Sequence, residues 1–80
     1  MRPIQANSDF FQNHSGTNAV VTLSIHNPNA VPMPILSAPG GAAVMTLPPG
    51  SAITSVFLVA AGGVLHSDLP GGFQFHNVVF

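Results

Sequence analysis

Charge is what this chain has least of. Only Arg2, Asp9 and Asp68 are charged, 4% of the 80 residues, whereas the surface of a small soluble domain usually carries roughly 25–35% charged residues. Lysine, glutamate, tyrosine, tryptophan and cysteine are absent altogether. One arginine cannot neutralise the several phosphates that a nucleic-acid surface presents, so direct binding to DNA or RNA is disfavoured. Without cysteine there is no disulfide framework, and a zinc site would have to rest on histidine and carboxylate alone. Without lysine, glutamate, tyrosine or cysteine, histidine is the one residue class left for general acid–base work.

Long hydrophobic runs are scarce too. The longest stretch without a charged residue, a proline or an amide side chain is built around Ala52 to Leu65, AITSVFLVAAGGVL, which is shorter than the roughly 20 residues a membrane-crossing helix needs. A membrane partner is therefore not expected. Met1 to Phe10 lacks the apolar run that follows the basic start of a secretory signal, so no such signal is read here.

The composition is nevertheless that of a folded chain. Hydrophobic residues make up 46% of it, while disorder goes with high net charge and few apolar residues. Eighty residues make one small domain, and a chain near that size buries only about 60% of its unfolded surface. Without disulfides, neighbouring subunits are one way to cover apolar surface, and Ser, Thr, Asn and Gln side chains are a rival way to solvate a surface short of charge; assembly is the favoured reading. The sequence points to self-assembly.

The apolar residues are spaced for strands. In Ala19 to His26, AVVTLSIH, Val21, Leu23 and Ile25 fall on one face and Val20, Thr22, Ser24 and His26 on the other. Asn27 to Ala30 reads as a turn. The chain resumes as Val31-Pro32-Met33-Pro34-Ile35-Leu36, where both prolines lack a donor on the same edge, which predicts an edge strand or an extended segment. Further strands are expected over Ala43 to Leu47, in the run from Ala52, which is read as buried on both faces, and over Val64 to His66 and Phe73 to Phe80. Gly62-Gly63 is read as a tight hairpin turn. In the last strand Phe73, Phe75 and Val79 are placed on one face, with Gln74, His76, Val78 and Phe80 opposite. Met1 to Thr17 is read as an irregular N-terminal arm, either loose or docking Phe10 and Phe11 on a neighbour, ahead of a single β domain over 18–80. No stretch has helical spacing. The fold expected is all-β: a small antiparallel β-sandwich or barrel of about six short strands.

The alternating strand VTLSIHNPNAVPMPI, its Asn-rich turn and the later Leu-Pro-Pro-Gly turn resemble immunoglobulin-like sandwich modules over residues 19–60. That resemblance implies a two-sheet architecture, although the cysteine pair and tryptophan are missing. In overall character (few charges, Gly/Pro turns, a polar arm) the chain also resembles the small all-β proteins that decorate or cement bacteriophage shells. This implies a structural subunit of a virion.

Chemical motifs are few. His14, His26, His66 and His76 are dispersed, without the short spacing of a metal motif. Only a three-fold axis could turn one of them into a ligand set. His66 lies two residues from Asp68 with Ser67 between, but three common residue types in sequence do not make a triad. Gly40-Gly41, Gly62-Gly63 and Gly71-Gly72 lack the lysine and following helix of a phosphate loop, and are read as turns.

The sequence thus predicts a non-enzymatic structural subunit with no metal and no cofactor. It would assemble with copies of itself, a trimer being the favoured closed symmetry, and dock on a larger shell or fibre protein. Its interface residues would be Phe10, Phe11, Pro32, Pro34, Phe73, Phe75 and Phe80. The rival expectation is a β-sandwich binding module that grips a glycan or peptide with loop residues such as Asn13, His14, Asn27 and Asn29.

Overall fold

A computed structural model describes residues 1–80. Eight strands and no helix make up the chain: β1 (Arg2–Ile4), β2 (Ser8–Gln12), β3 (Ala19–His26), β4 (Met33–Leu36), β5 (Ala43–Leu47), β6 (Ala52–Val59), β7 (Val64–Ser67) and β8 (Gly71–Val79). They form two four-stranded antiparallel sheets, in the orders β1-β8-β3-β6 and β2-β7-β4-β5. Except for β4 to β5, every connection passes from one sheet to the other. Eight strands wound in this order form a jelly roll. The sandwich expected from the sequence holds, but its strand order differs from that of an immunoglobulin-like domain.

β3 is the central member. Its inward residues Ala19, Val21, Leu23 and Ile25 are fully buried, and its outward residues are exposed or half-buried, as the alternation in the sequence predicts. Against it pack Phe57 and Val59 of β6, Phe73 of β8 and Ile4 of β1, with Met33, Ile35, Leu47 and Leu65 from the opposite sheet.

The N-terminal segment corrects the expectation of an irregular arm. Residues 1–17 supply one strand to each sheet, which accounts for the count of eight in place of about six. The turn between them is closed by Asn7, whose φ of 53° lies in the left-handed region that asparagine tolerates. In β2 the register against β7 slips between Asp9 and Phe11. This bulge lets the consecutive residues Phe10 and Phe11 both pack against the core.

Three further expectations change. The run from Ala52 is not buried on both faces: β6 is an edge strand whose even-numbered residues are all exposed. The Gly62-Gly63 turn does not close a hairpin, because it carries the chain from the β6 sheet to the β7 sheet, with Gly62 at φ 74°. Gly71-Gly72 opens β8 instead of forming a turn. Within β8 a register shift opposite Thr22/Leu23 places Val78 against the core and leaves Val79 exposed, reversing the faces that strict alternation assigns.

β4 is not an edge strand either, since it lies between β7 and β5. Its prolines still leave their mark. Toward β7 it makes a single bridge, Leu36 with His66, beyond both prolines. Pro34 opposes Thr46 of β5, where proline fits only a pair that exchanges no hydrogen bonds.

Candidate interaction face

The outer face of the β1-β8-β3-β6 sheet is laid out in cross-strand rows. Leu58, Val20 and Val79 lie side by side on β6, β3 and β8, and the next row holds Val56, Thr22 and Asn77. Leu58 is 76% exposed and Val56 59%, with Val79, Val20 and the terminal Phe80 exposed as well. Toward the other end the rows become polar. Ser24 Oγ lies 2.7 Å from Thr54 Oγ1 and 2.6 Å from His76 Nε2. None of the three charged residues lies on this face: Arg2 pairs with the inward Phe73, while Asp9 and Asp68 both contact His66 in or beside the other sheet.

A hydroxyl within reach of an imidazole invites a catalytic reading, and Ser24 and His76 make the nearest approach to one. Such a pair needs a third group to orient the base. Both carboxylates of the chain are held at His66, and His76 makes no side-chain hydrogen bond other than that to Ser24. The arrangement is a polar ladder across three strands.

His66 is the chain's one buried ionisable ring. Its Nδ1 lies 2.7 Å from Asp9 Oδ1 and its Nε2 2.9 Å from Asp68 Oδ1. Both ring nitrogens can donate only in the imidazolium form. Burial by itself pushes the pKa down, but the hydrogen bonds to Asp9 and Asp68 and the charges of those carboxylates outweigh it, and the pKa is raised. Ser67 beside it is buried and bonded locally, its Oγ donating to the Leu69 carbonyl at 2.7 Å. His66, Asp9 and Asp68 therefore form an ionic clasp joining β2 to the end of β7, with the Ser67 hydroxyl turned to other work. No group of three or more histidine or acidic side chains is placed to hold a metal ion.

The residues expected at an interface divide. Phe10 lies 5.3 Å from Phe73, Phe11 lies 5.5 Å from Phe75, and Phe73 and Phe75 are 5.2 Å apart between ring centroids. These four rings tie β2 of one sheet to β8 of the other, at separations where tilted and edge-on pairs attract. Pro32 is exposed and Pro34 half-buried. Of the aromatic residues expected at an interface, Phe80 alone is largely exposed, at 66%. Val20, Val56, Leu58 and Val79 are not among the interface residues expected from the sequence, although the β-branched or leucine residues on both faces of the β3 and β6 stretches are the available signal.

Of the four loop residues expected to grip a ligand, the three asparagines are engaged within the fold. Asn13 and Asn27 are fully buried, and each spends its side-chain amide on three backbone carbonyls. His14 is exposed, and Asn29 is half-buried with its amide on Asn27 and on the Pro70 carbonyl.

No protein family, no curated protein and no solved structure matches this chain.

Proposed function

We propose that the chain is a non-enzymatic structural subunit, one that associates with copies of itself and docks on a larger shell or fibre, as a viral capsid decoration protein does. The observation that carries this reading is the uncharged outer face of the β1-β8-β3-β6 sheet, with Leu58, Val20, Val79 and Val56 contiguous on three strands. Contiguous exposed apolar surface of this kind marks interaction sites. Covering it would contribute roughly 25 cal/mol for each Å² removed from water. The jelly-roll order supports the reading by analogy only, since that architecture serves viral capsid domains and lectins alike. Between those two classes, the internal commitment of Asn13 and Asn27 argues against loop-borne glycan or peptide binding. Virion localisation is part of the proposal.

Light scattering coupled to size-exclusion chromatography tests it. A species heavier than the 8.2 kDa chain, shifting toward monomer on dilution, is expected. A lasting monomer at tens of micromolar, a range in which micromolar affinity would already register, would remove the self-association half of the reading.

A further inference from the structure

Four strand edges are free of partners in this sandwich: β1 and β6 in one sheet, β2 and β5 in the other. Three of them carry features that discourage pairing. β1 is three residues long and includes Pro3. β2 carries Asp9 and a bulge at Phe10. β5 has an irregular register where Ala43 and Met45 oppose Leu36 and Ile35, and it runs into Pro48-Pro49. β6 carries none of these. It is eight residues long, contains no proline, glycine or charged residue, and pairs with β3 in unbroken register from Ala52 to Val59.

We propose that the free edge of β6 pairs antiparallel with β6 of a second copy about a two-fold axis, joining the two β1-β8-β3-β6 sheets into one eight-stranded sheet. This rests on the self-association read above and names where it happens. A second copy suits this edge for two reasons. Antiparallel pairing of a strand with itself is isologous and closes at two copies, as most symmetric assemblies do. No side chain on β6 repels its own image, because none is charged.

Register follows from the pleat. Phe57 and Val59 point into the core while Val56 and Leu58 point out, and a slip of one residue would exchange the faces. Opposed residues must therefore be an even number of positions apart. Placing Val56 opposite its own copy satisfies this and pairs Ile53 with the partner's Val59, Ser55 with the partner's Phe57 and Thr54 with the partner's Leu58. It also gives the half-exposed Ile53 and Ser55 at the open end of β6 a neighbour in the partner strand. The Cα extents of 37 × 26 × 17 Å describe a slab with a broad side larger than the roughly 800 Å² per partner of a standard interface. The edge pairing thus leaves most of the outer sheet face open for the larger assembly.

The absence of native cysteine makes single-cysteine variants clean probes. Val56→Cys is expected to form a disulfide-linked dimer on mild oxidation, because directly opposed residues bring their Cβ atoms to about 5 Å. Val20→Cys, equally outward but inside the sheet on β3, is expected not to. Val56→Lys, which sets like charges opposite each other across the axis on the exposed side of the edge strand, is expected to raise the dimer dissociation constant at least about ten-fold with an unchanged circular dichroism spectrum. Should Val20→Cys crosslink and Val56→Cys fail, in protein that still self-associates, the edge pairing is overturned and a face-to-face assembly stands. A chain that neither crosslinks nor self-associates overturns both readings.

Discussion

Asn13 and Asn27 do the same job at opposite ends of the sandwich. Asn13 Nδ2 donates to the carbonyls of Thr17, Val59 and Ala60 at 2.8, 3.0 and 3.1 Å, and Asn27 Nδ2 to those of Val31, Leu47 and Pro48 at 2.9, 3.2 and 3.1 Å. Each side-chain oxygen accepts from the backbone N–H two residues on, Ser15 and Asn29. Each backbone N–H donates to the facing turn, at Gly63 and Ser51. Two asparagines thus fasten a sheet-crossing loop to the sheet-crossing turn beside it at each end of β6.

Asparagine is required because the site needs an amide donor and an acceptor in one short side chain. Asn13→Asp and Asn27→Asp each set a carboxylate against three carbonyl oxygens. Leaving buried polar groups unpaired costs about 1–3 kcal/mol, and more for a charge. We expect each variant to lose at least about 2 kcal/mol, lowering the melting temperature by roughly 8 °C or more. Asn18→Ala, which removes one exposed acceptor for the Ala61 N–H, should fall within about 0.5 kcal/mol of wild type. Thermal and urea denaturation measure both.

The His66 clasp predicts how stability follows pH. The groups facing the ring are Asp9 on β2 and Asp68 beyond β7, with the apolar Leu36 opposite on β4. Its folded pKa is raised above the unfolded value of about 6.5. The stabilisation is thus fully present below about pH 6.5 and is lost as pH rises through the folded value. Urea midpoints should decline from about pH 6 to pH 9, and His66→Asn should abolish that slope. Asp68→Asn should move it to lower pH, by removing one of the two partners that raise the pKa.

Gly71 and Gly72 are adjacent and should respond differently. A Cβ on Gly71 would come within 2.7 Å of the His26 carbonyl oxygen and 2.8 Å of Met33 Cε. A backbone carbonyl cannot step aside cheaply, so Gly71→Ala should destabilise by about 1–3 kcal/mol. At Gly72 the nearest contact is 3.4 Å, to the flexible Met1 side chain, and Gly72→Ala should be close to neutral. Paired melting curves decide it.

The outer face should separate stability from association. Leu58→Ser and Val56→Thr alter exposed side chains, so the monomer's unfolding free energy should change by no more than about 0.5 kcal/mol. Both side chains border the β6 edge, Val56 opposite its own copy and Leu58 opposite the partner's Thr54, so self-association should weaken at the same time, measured as a shift of the elution profile toward monomer. Equal loss of both would mean that the face is packed inside the fold.

The sequence made visible what depends on period and composition. The alternation in AVVTLSIH sets the faces of β3, and the shortage of charge directs attention to assembly. It hid what depends on distant pairing. β1 and β2 are three and five residues long, too short for a periodic signal, and their strand character comes from β8 and β7. The bulges at Phe10 and in β8 break the alternation that a linear reading applies. His66 with Asp68 was legible at two residues' separation, whereas Asp9 arrives only through β2. The Asn-x-Ser and Asn-x-Asn spacings at 13–15 and 27–29 carried the signal of an Asx turn, but not the facing carbonyls that make those turns into clamps.

Hydrogen exchange of the β6 amides, followed as the protein is diluted, asks most directly whether this edge is covered. At concentrations where the protein is assembled, the β6 amides that point away from β3 should exchange as slowly as those of β3, and should lose that protection on dilution together with the fall in mass. Free exchange of those amides at every concentration, beside a protected β3, would contradict pairing at this edge.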